Sequence, residues 1–197
     1  TVEGALLLMH PYTDIEAAKE SADALGIPLH IIDCREKFEE IVVPHFMDEY
    51  LCARTPNPCI VCNKNIKFGA LLDSALSLGC DKLATGHYAR IEQDSSGRHI
   101  LKTATDPEKD QSYMLYRLGQ EFLSRLIFPL GEFEDKEQIR DIARSVNLSN
   151  AEKKDSQDIC FIPDGDYAGY LERAHGGPYS VGNFITADGQ VLGRHRG

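Results

Sequence analysis

Residues 4–34 read GALLLMHPYTDIEAAKESADALGIPLHIIDC, and this stretch decides the fold class. The continuous apolar run over 4–9 predicts a strand that is buried on both faces, as strands of parallel sheets are. Residues 13–16 (TDIE) form a capping box, so a helix should begin there and end at Gly26. Residues 28–34 predict a second strand. A strand, a helix and a second strand in this order indicate a parallel sheet with helices on its faces.

Helices and strands continue to alternate along most of the chain. We predict further helices over residues 35–51, 62–78, 111–126, 136–147 and 166–173, and further strands over 82–85, 90–93 and 99–103. Residues 52–61 carry the two prolines of T-P-N-P and are predicted to form a loop. Beyond residue 178 the pattern turns to β, over 180–186 and 191–192. We therefore predict an α/β fold, with a parallel sheet flanked by helices, followed by the start of a small β domain. Such sheets bind ligands outside the carboxyl ends of their strands.

The composition narrows the class of protein. The formal net charge of −10 argues against a protein that coats nucleic acid nonspecifically, because phosphate binding requires clustered Lys and Arg. A local basic patch and a random scatter of charge are both open for the cations near the motifs described below: Arg54, Lys64, Lys67, His87, Arg90, Lys109, Lys153 and Lys154. No apolar run approaches the ~20 residues of a membrane span, and no signal peptide opens the sequence. We therefore expect a cytoplasmic protein with no membrane partner.

Two of the six cysteines stand in dense polar motifs. Cys62 lies in TPNPCIVCNKNIKF (residues 55–68), and Cys160 lies in KKDSQDICFI (residues 153–162). Structural cysteines usually have apolar neighbours, whereas neighbouring cations and polar groups stabilise a thiolate. These motifs therefore indicate sulfur chemistry. The cysteine spacings do not resemble a disulfide framework, and three cysteines are predicted to have no chemical role: Cys34, Cys52 and Cys80.

Cys59 and Cys62 form a C-x-x-C pair, whose chemistry is not decided by the pair alone. Zinc sites, redox pairs and iron–sulfur clusters all use this spacing. The prolines precede the pair instead of lying within it, and no second C-x-x-C or His pair supports zinc. A helix N-terminus favours a thiolate, and Cys62 is predicted to open the helix over 62–78.

Five motifs occur in a fixed order: TPNPCxxCNKxIKF, ATGHYAR (84–90), KDQSY (109–113), FPLGE (128–132) and KKDSQxICFI. Together they resemble the tRNA-uridine 2-sulfurtransferases, the 2-thiouridylases of the MnmA/TrmU type, from about Val2 to Gly197. The resemblance implies a catalytic domain of the ATP-pyrophosphatase type, with a HUP or Rossmann-like fold, over residues 1–163. Residues 164–197 would be the start of a central β domain. The implied activity is that of a transferase that uses ATP and Mg²⁺ to 2-thiolate the wobble uridine of tRNA anticodons.

The resemblance also implies roles for the two cysteines. ATP would adenylate the C2 oxygen of the base. Cys160 would carry a persulfide delivered by a sulfur-relay protein or a cysteine desulfurase. Cys62 would be the nucleophile, or would close a transient disulfide with Cys160 that releases the sulfur. Since the two cysteines lie far apart in sequence, only the fold can bring them together. The positive charge that stabilises their thiolates would come from three lysines: Lys64, Lys153 and Lys154.

Further functional positions follow from the same resemblance. ATP would contact Leu7 and Gly86. The target base would contact Asn57, Pro58 and Cys59. The tRNA would contact His87, Lys109, Asp110 and Gln111. From the residues alone, 109–111 would be interpreted as a solvated turn, and His87 either as a ligand contact or as a histidine satisfied at a strand end.

The sequence departs from the family pattern in three respects. The Ser-Gly-Gly-Val-Asp-Ser phosphate loop is not in the sequence, nor are its strand and helix, and the sequence stops before the rest of the central domain and the C-terminal barrel. It is therefore interpreted as a fragment. Many family members carry Asp at the position of Cys59. Cys59, Cys62 and Cys160 would suit three irons of a [4Fe–4S] cluster, so the alternative function is an iron–sulfur or metal-binding module without ATP hydrolysis. Apart from that alternative, no metal site is predicted. A third hypothesis, a different ATP-pyrophosphatase, does not account for KKDSQxICFI.

Overall fold

The computed structural model describes residues 1–152 and 158–196. The chain forms two compact units, one from Thr1 to Asp155 and the other from Ser156 to Gly197. The sequence instead places the end of the catalytic domain at residue 163, and that assignment of domains stays a prediction.

The elements of the first unit follow the predicted alternation of strands and helices. Its described strands are β1 Gly4–Leu8, β2 Leu29–Asp33, β3 Leu83–Ala84, β4 Ala89–Gln93, β5 His99–Thr103 and β6 Leu126–Ile127. Its described α-helices are α1 Ile15–Leu25, α2 Arg35–Leu51, α3 Pro58–Cys62, α4 Leu72–Ser77, α5 Gln120–Leu123 and α6 Lys136–Ser145. A π-helix, Asn63–Leu71, joins α3 to α4, and short 3₁₀ turns occupy Ser112–Met114 and Pro129–Glu132.

The first strand, helix and second strand form the predicted unit. β1 and β2 run parallel and pair over all five residues of each strand. The helix α1 begins one residue later than the capping box indicates, because the side chain of Asp14, and not Thr13, accepts the hydrogen bond from the N–H of Ala17. It ends at Gly26, which adopts the left-handed conformation with φ of 64° that favours glycine.

The remaining strands of the first unit form two further pairs. β3 and β6 run parallel, and β4 and β5 form the predicted antiparallel hairpin. Within the described residues, no strand hydrogen bonds join the pair β1–β2 to the pair β3–β6. The predicted class, mixed α/β with parallel strands and a following antiparallel segment, is confirmed.

The helix that carries the C-x-x-C pair begins earlier than predicted. Asn57 Oδ1 accepts a hydrogen bond of 3.1 Å from the N–H of Cys59, and Pro58 occupies the first helical position. Both residues favour a helix start, so α3 begins at Pro58. The prediction that Cys62 opens the helix is therefore wrong. Because it lies at the end of the first turn, its thiol gains less from the helix dipole than a thiol at the N-terminus would.

The π-helix directly follows Cys62. π-Helices are rare and occur mostly as single turns, frequently at functional sites. Within this helix a Cβ on Gly69 would lie 3.3 Å from the carbonyl oxygen of Lys64, a tight contact that glycine avoids.

Residues 111–126 do not form the single helix predicted for them. Their helical parts are the 3₁₀ turn Ser112–Met114 and the short α5, and residue 126 already belongs to β6. The backbone N–H of Gln111 donates to the carbonyl of Tyr88 over 2.8 Å. The side-chain oxygen of Gln111 accepts from the N–H of Tyr88 over 3.0 Å. These tertiary hydrogen bonds outweigh helix propensity, which is a weak preference.

A buried apolar cluster joins the π-helix to the segments around β6. It includes Phe68 from the π-helix, Leu115 from the segment before α5, and Phe128 directly after β6. The backbones of Gly131 and Ala89 also pack closely, because a Cβ on Gly131 would overlap the carbonyl group of Ala89. The π-helix and the chain after β3 are therefore fixed on the same core.

The second unit is smaller and contains the predicted helix and β segment. Its described elements are α7 Tyr167–His175, β7 Gly182–Ile185 and β8 Val191–His195. β7 and β8 pair antiparallel, with an irregularity after Phe184. In both units, the helices that the structure describes are too short or too polar to cross a bilayer.

Candidate active site

Cys62 lies buried beside the carboxyl end of β1. Its side chain is 7% exposed, and its Sγ lies 3.8 Å from Sδ of Met9, the residue that follows β1. Parallel sheets bind their ligands outside this end of their strands. The fold therefore brings the predicted nucleophile to the predicted edge of the sheet.

Cys59 lies one helical turn before Cys62, and its thiol is exposed. Residues three apart lie on neighbouring positions of a helix surface. The other two residues predicted to contact the target base have structural roles here: Asn57 caps α3, and Pro58 is buried at its first position. Of the three, Cys59 is the residue whose side chain a ligand can reach most easily.

Asn63, the first residue of the π-helix, connects the helix that carries Cys62 to the segment that follows residues 109–111. It is 1% exposed, and its Nδ2 donates a hydrogen bond of 3.4 Å to the carbonyl of Met114. Its Oδ1 is buried without a hydrogen-bond partner among the described residues. A buried acceptor without a partner is costly, so this position is held by the packing around it.

Gly86 and His87 follow β3 and differ in their exposure to solvent. Gly86 is exposed, whereas His87 is 8% exposed. The His87 ring packs against both Phe68 and Phe128, with centroid distances of 5.6 and 5.8 Å, and the two Phe rings pack against each other at 5.9 Å. Its Nδ1 is 2.8 Å from the hydroxyl of Thr85. The ring predicted to contact tRNA is therefore enclosed by the protein's own side chains.

Two of the three residues over 109–111 use their side chains to hold the local backbone. The Asp110 carboxylate accepts from the N–H of Ala104 (2.8 Å) and from the hydroxyl of Ser112 (2.7 Å). Partial burial raises the pKa of Asp110, but these hydrogen bonds outweigh it and leave the pKa below its usual value. Gln111 is hydrogen-bonded to Tyr88, as described above. Lys109 is half-buried. Contact of these residues with tRNA stays a prediction.

Cys160 lies on an exposed turn of the second unit. The N–H of Ile159 donates to the Asp158 carboxylate over 2.8 Å, and the N–H of Ile162 donates to the carbonyl of Ile159 over 2.9 Å. Phe161 is buried and packs edge-on against the ring of Tyr170, at 5.5 Å. The thiol of Cys160 thus stays exposed while its neighbours anchor the backbone.

Part of the second cysteine motif lies outside the described residues. Lys153 and Lys154, which are predicted to stabilise a thiolate, belong to that part. Within the described residues of the first unit, no three His, Cys, Asp or Glu side chains are grouped so as to hold a metal ion. The iron–sulfur alternative needs a ligand from each unit and stays a prediction.

Leu7 and Gly86 are the two residues predicted to contact ATP, and that contact stays a prediction. Leu7 lies in β1 and packs, partly buried, against the apolar cluster. Gly86 is exposed after β3, and a Cβ there would lie 3.5 Å from a methyl of Leu130, at ordinary contact distance. Its backbone is therefore open to a ligand.

Comparison with known proteins identifies the family. The sequence profile of the tRNA methyl transferase HUP domain matches residues 9–164. The chain belongs to this HUP domain family. Over 184 residues it is 50% identical to the tRNA-specific 2-thiouridylase MnmA of Carboxydothermus hydrogenoformans, covering 93% of the chain and 50% of that relative. The MnmA protein of Treponema denticola is 50% identical over 187 residues, covering 93% of the chain and 51% of the relative.

A third relative agrees with these two. The 2-thiouridylase MnmA 2 of Clostridium botulinum strain Langeland is 47% identical over 182 residues, covering 92% of the chain and 51% of that protein. The chain thus spans about half the length of these curated relatives. The family resemblance drawn from the five motifs is confirmed.

Three residues of the HUP domain site were not found from the sequence. Met9 contacts Cys62, Asn63 binds the carbonyl of Met114, and Thr85 contacts His87. Asn63 and Thr85 lie inside motifs, and their motif positions were the signal that could have found them. Met9 ends the apolar run that predicts β1, and its contact with Cys62 joins segments distant in sequence.

Burial of His87 has a measurable consequence for the HUP domain. Burial first, and then the nearby positive charge of Lys67, lower the pKa of His87 to about 3. We expect the ring to stay neutral from pH 8 to pH 5. An NMR titration of the ring carbons, assigned by comparison with a His87→Gln variant, should show flat chemical shifts for His87 over this range. A midpoint near 6.5 would contradict this expectation.

The same pKa difference makes stability depend on pH. Because the folded pKa lies below the unfolded value of ~6.5, the contribution of neutral His87 is fully present above pH 6.5 and is lost as the pH falls towards 3. The slope is about 1.4 kcal/mol per pH unit for one such group. Urea unfolding at pH 7.5 and 5.0 should therefore show a smaller pH dependence for His87→Gln than for the natural protein.

Proposed function

We propose that the complete polypeptide carrying this HUP domain is a transferase that modifies tRNA. Its reaction would be the ATP-dependent 2-thiolation of the wobble uridine, with sulfur transferred from a persulfide on Cys160. The observation that carries the proposal is the placement of Cys62, buried beside Met9 at the carboxyl end of β1. The relatives with this domain carry the name tRNA-specific 2-thiouridylase.

The described residues suit both parts of this reaction, the activation of the base by ATP and the delivery of sulfur. ATP, when bound with Mg²⁺, supplies the adenylyl group that makes the C2 oxygen of the base a leaving group. Leu7 and Gly86 would hold the nucleotide. Cys160, exposed on its turn, would accept persulfide sulfur from a sulfur-relay protein or a cysteine desulfurase, because such a donor must reach the thiol directly.

The sulfur step needs both cysteines. The Cys62 thiolate attacks Sγ of the Cys160 persulfide, the S–S bond of the persulfide breaks, and the terminal sulfur leaves as hydrosulfide. Hydrosulfide then attacks C2 of the base, and the C2 oxygen departs with AMP. A thiol reductant finally reduces the disulfide between Cys62 and Cys160. Burial of Cys62 would exclude water from the attacking thiolate.

The contact with tRNA would lie around the described HUP domain site. Cys59 is the most accessible of the three residues assigned to the target base. Because the side chains of Asp110 and Gln111 are bound within the chain, any contact of theirs with tRNA would use their remaining acceptors or their backbone. His87 would hold the loop after β3 instead of reaching the RNA.

The test is a thiolation assay. The complete polypeptide is incubated with unmodified tRNA, Mg²⁺, ATP and a cysteine desulfurase with cysteine, and the nucleosides are analysed by mass spectrometry. We expect 2-thiouridine only when ATP is present, and none in a tRNA with cytidine at the wobble position. Absence of 2-thiouridine under all conditions would overturn the proposal. If, in addition, anaerobic reconstitution gave an iron-loaded protein, the alternative function, an iron–sulfur module, would be favoured. The feature that supports this alternative is the exposed Cys59, one helical turn before Cys62.

A further inference from the structure

Two tyrosines project from the segment that follows the motif residues 109–111. Tyr113 is 54% exposed and Tyr116 is 67% exposed. Leu115, between them, is buried in the apolar cluster, as is Leu118. The segment is therefore anchored by its leucines while the two aromatic rings remain at the surface.

The backbone that carries these rings is fixed before any ligand arrives. Asp110 and Gln111 tie its beginning to Ala104 and Tyr88. Asn63 binds the carbonyl of Met114, between the two tyrosines. This hydrogen bond joins the segment to the residue next to Cys62. A pre-organised surface binds its ligand with a smaller entropy loss than a mobile one.

Positive charge accompanies the exposed rings. Arg117, next to Tyr116, is exposed, and no described carboxylate forms an ion pair with it. The same holds for Lys64 and Lys67 on the π-helix, which starts at Asn63. Many other described cations of this acidic chain do have carboxylate partners: Lys19, Arg35, Arg54, Arg90, Lys102, Arg140, Arg144 and Arg173.

We propose that Tyr113 and Tyr116 form a stacking platform for unpaired bases of an RNA loop, with Arg117 binding the adjacent phosphates. Single-stranded RNA is recognised by stacking of its bases on aromatic rings, supported by cations along the backbone. Two exposed rings next to Arg117, which has no ion-pair partner among the described carboxylates, on a segment hydrogen-bonded to Asn63, match this chemistry. The platform rests on the proposed function, since it would hold the anticodon loop whose uridine is modified.

Binding of a labelled tRNA anticodon stem-loop to the complete polypeptide tests the platform. The variants are Tyr113→Leu, Tyr116→Leu and the double replacement. The matched controls are Tyr113→Phe and Tyr116→Phe, which keep the stacking surface, and Leu78→Ala, which alters an exposed apolar side chain elsewhere. We expect each leucine variant to bind about 5- to 100-fold more weakly, the effect of removing one stacked base. The Phe variants should bind within about twofold of the natural protein.

A blunt RNA duplex made from the stem separates stacking from general charge attraction. It should bind all variants equally, because its bases are not accessible for stacking. If the leucine variants bound the stem-loop as the natural protein does, or lost duplex and stem-loop binding equally, the platform would be overturned. Unchanged RNA binding with weaker binding of the sulfur-donor protein would also overturn it, in favour of a protein partner.

A second measurement uses tryptophan fluorescence and does not depend on whether the leucine variants fold. The chain contains no tryptophan, so Tyr113→Trp and Tyr116→Trp each add one reporter to it. Addition of the stem-loop should quench the added fluorescence, measured as the difference from the parent protein, and lack of quenching contradicts stacking. If the natural protein neither bound the stem-loop nor formed 2-thiouridine, the proposed function itself would fail. If it did both, and the leucine variants did so equally, the platform alone would fail.

Discussion

Replacing Cys160 by serine is expected to abolish the formation of 2-thiouridine by the complete polypeptide. A hydroxyl cannot carry a transferable sulfur, and serine has nearly the size of cysteine, so the exposed turn around residue 160 should keep its structure. Loss of a covalent group of this kind lowers a rate by roughly 10³-fold or more. The measurement is the initial rate of 2-thiouridine formation, determined by mass spectrometry of digested tRNA.

The matched control is Cys80→Ser. Cys80 is half-buried after α4 and has no part in the proposed chemistry, so its replacement should change the rate by less than about twofold. A Cys160→Ser protein with the rate of the natural one would refute the persulfide role. A protein that lost thiolation but still accepted sulfur from the donor would instead show that the persulfide forms on a different cysteine.

Cys62→Ser is expected to cause a loss of similar size at a different step. The Cys160 persulfide should still form, because its thiol is exposed and distant in sequence, but release of the terminal sulfur requires the Cys62 thiolate. We therefore expect a rate lowered by roughly 10³-fold or more. Mass spectrometry of the protein after incubation with the donor should show the added sulfur retained on Cys160.

Cys34→Ser and Cys59→Ser are the comparisons for this variant. Burial raises the pKa of Cys34, which keeps its thiol protonated, so its replacement should leave thiolation nearly unchanged. If Cys59 does not take part in sulfur release, Cys59→Ser should retain most of the rate. Equal losses in Cys59→Ser and Cys62→Ser would point to a shared site for both thiols. Rapid turnover by Cys62→Ser would exclude the residue as nucleophile.

The elements that could be predicted from sequence are those with local causes. The apolar run of β1, the helix stop at Gly26 and the turn of the β4–β5 hairpin all depend on neighbouring residues, and the structure has them where expected. The start of α3 also had a local signal, because Asn57 and Pro58 form a cap and a first helical position. It was missed because T-P-N-P was interpreted only as a helix breaker.

The features that sequence reasoning could not predict depend on contacts between distant segments. The split of residues 111–126 follows from hydrogen bonds between Gln111 and Tyr88. The enclosure of His87 follows from Phe68 and Phe128. The motifs identified the residues of the site, whereas their exposure, and with it the division between supporting and accessible side chains, required the fold.

The π-helix constrains how the length of this protein can change. Each residue of an α-helix turns the chain by about 100°, and a π segment is an α-helix with residues added inside it. Deleting one residue between Cys62 and Phe68 would let the segment rewind as an α-helix. Cys62 would then swing about the helix axis relative to the anchored Phe68, away from Met9. Insertions and deletions should therefore be tolerated in the exposed hairpin turn at 94–97, but not within residues 62–68, where the count of residues sets the direction of the thiol.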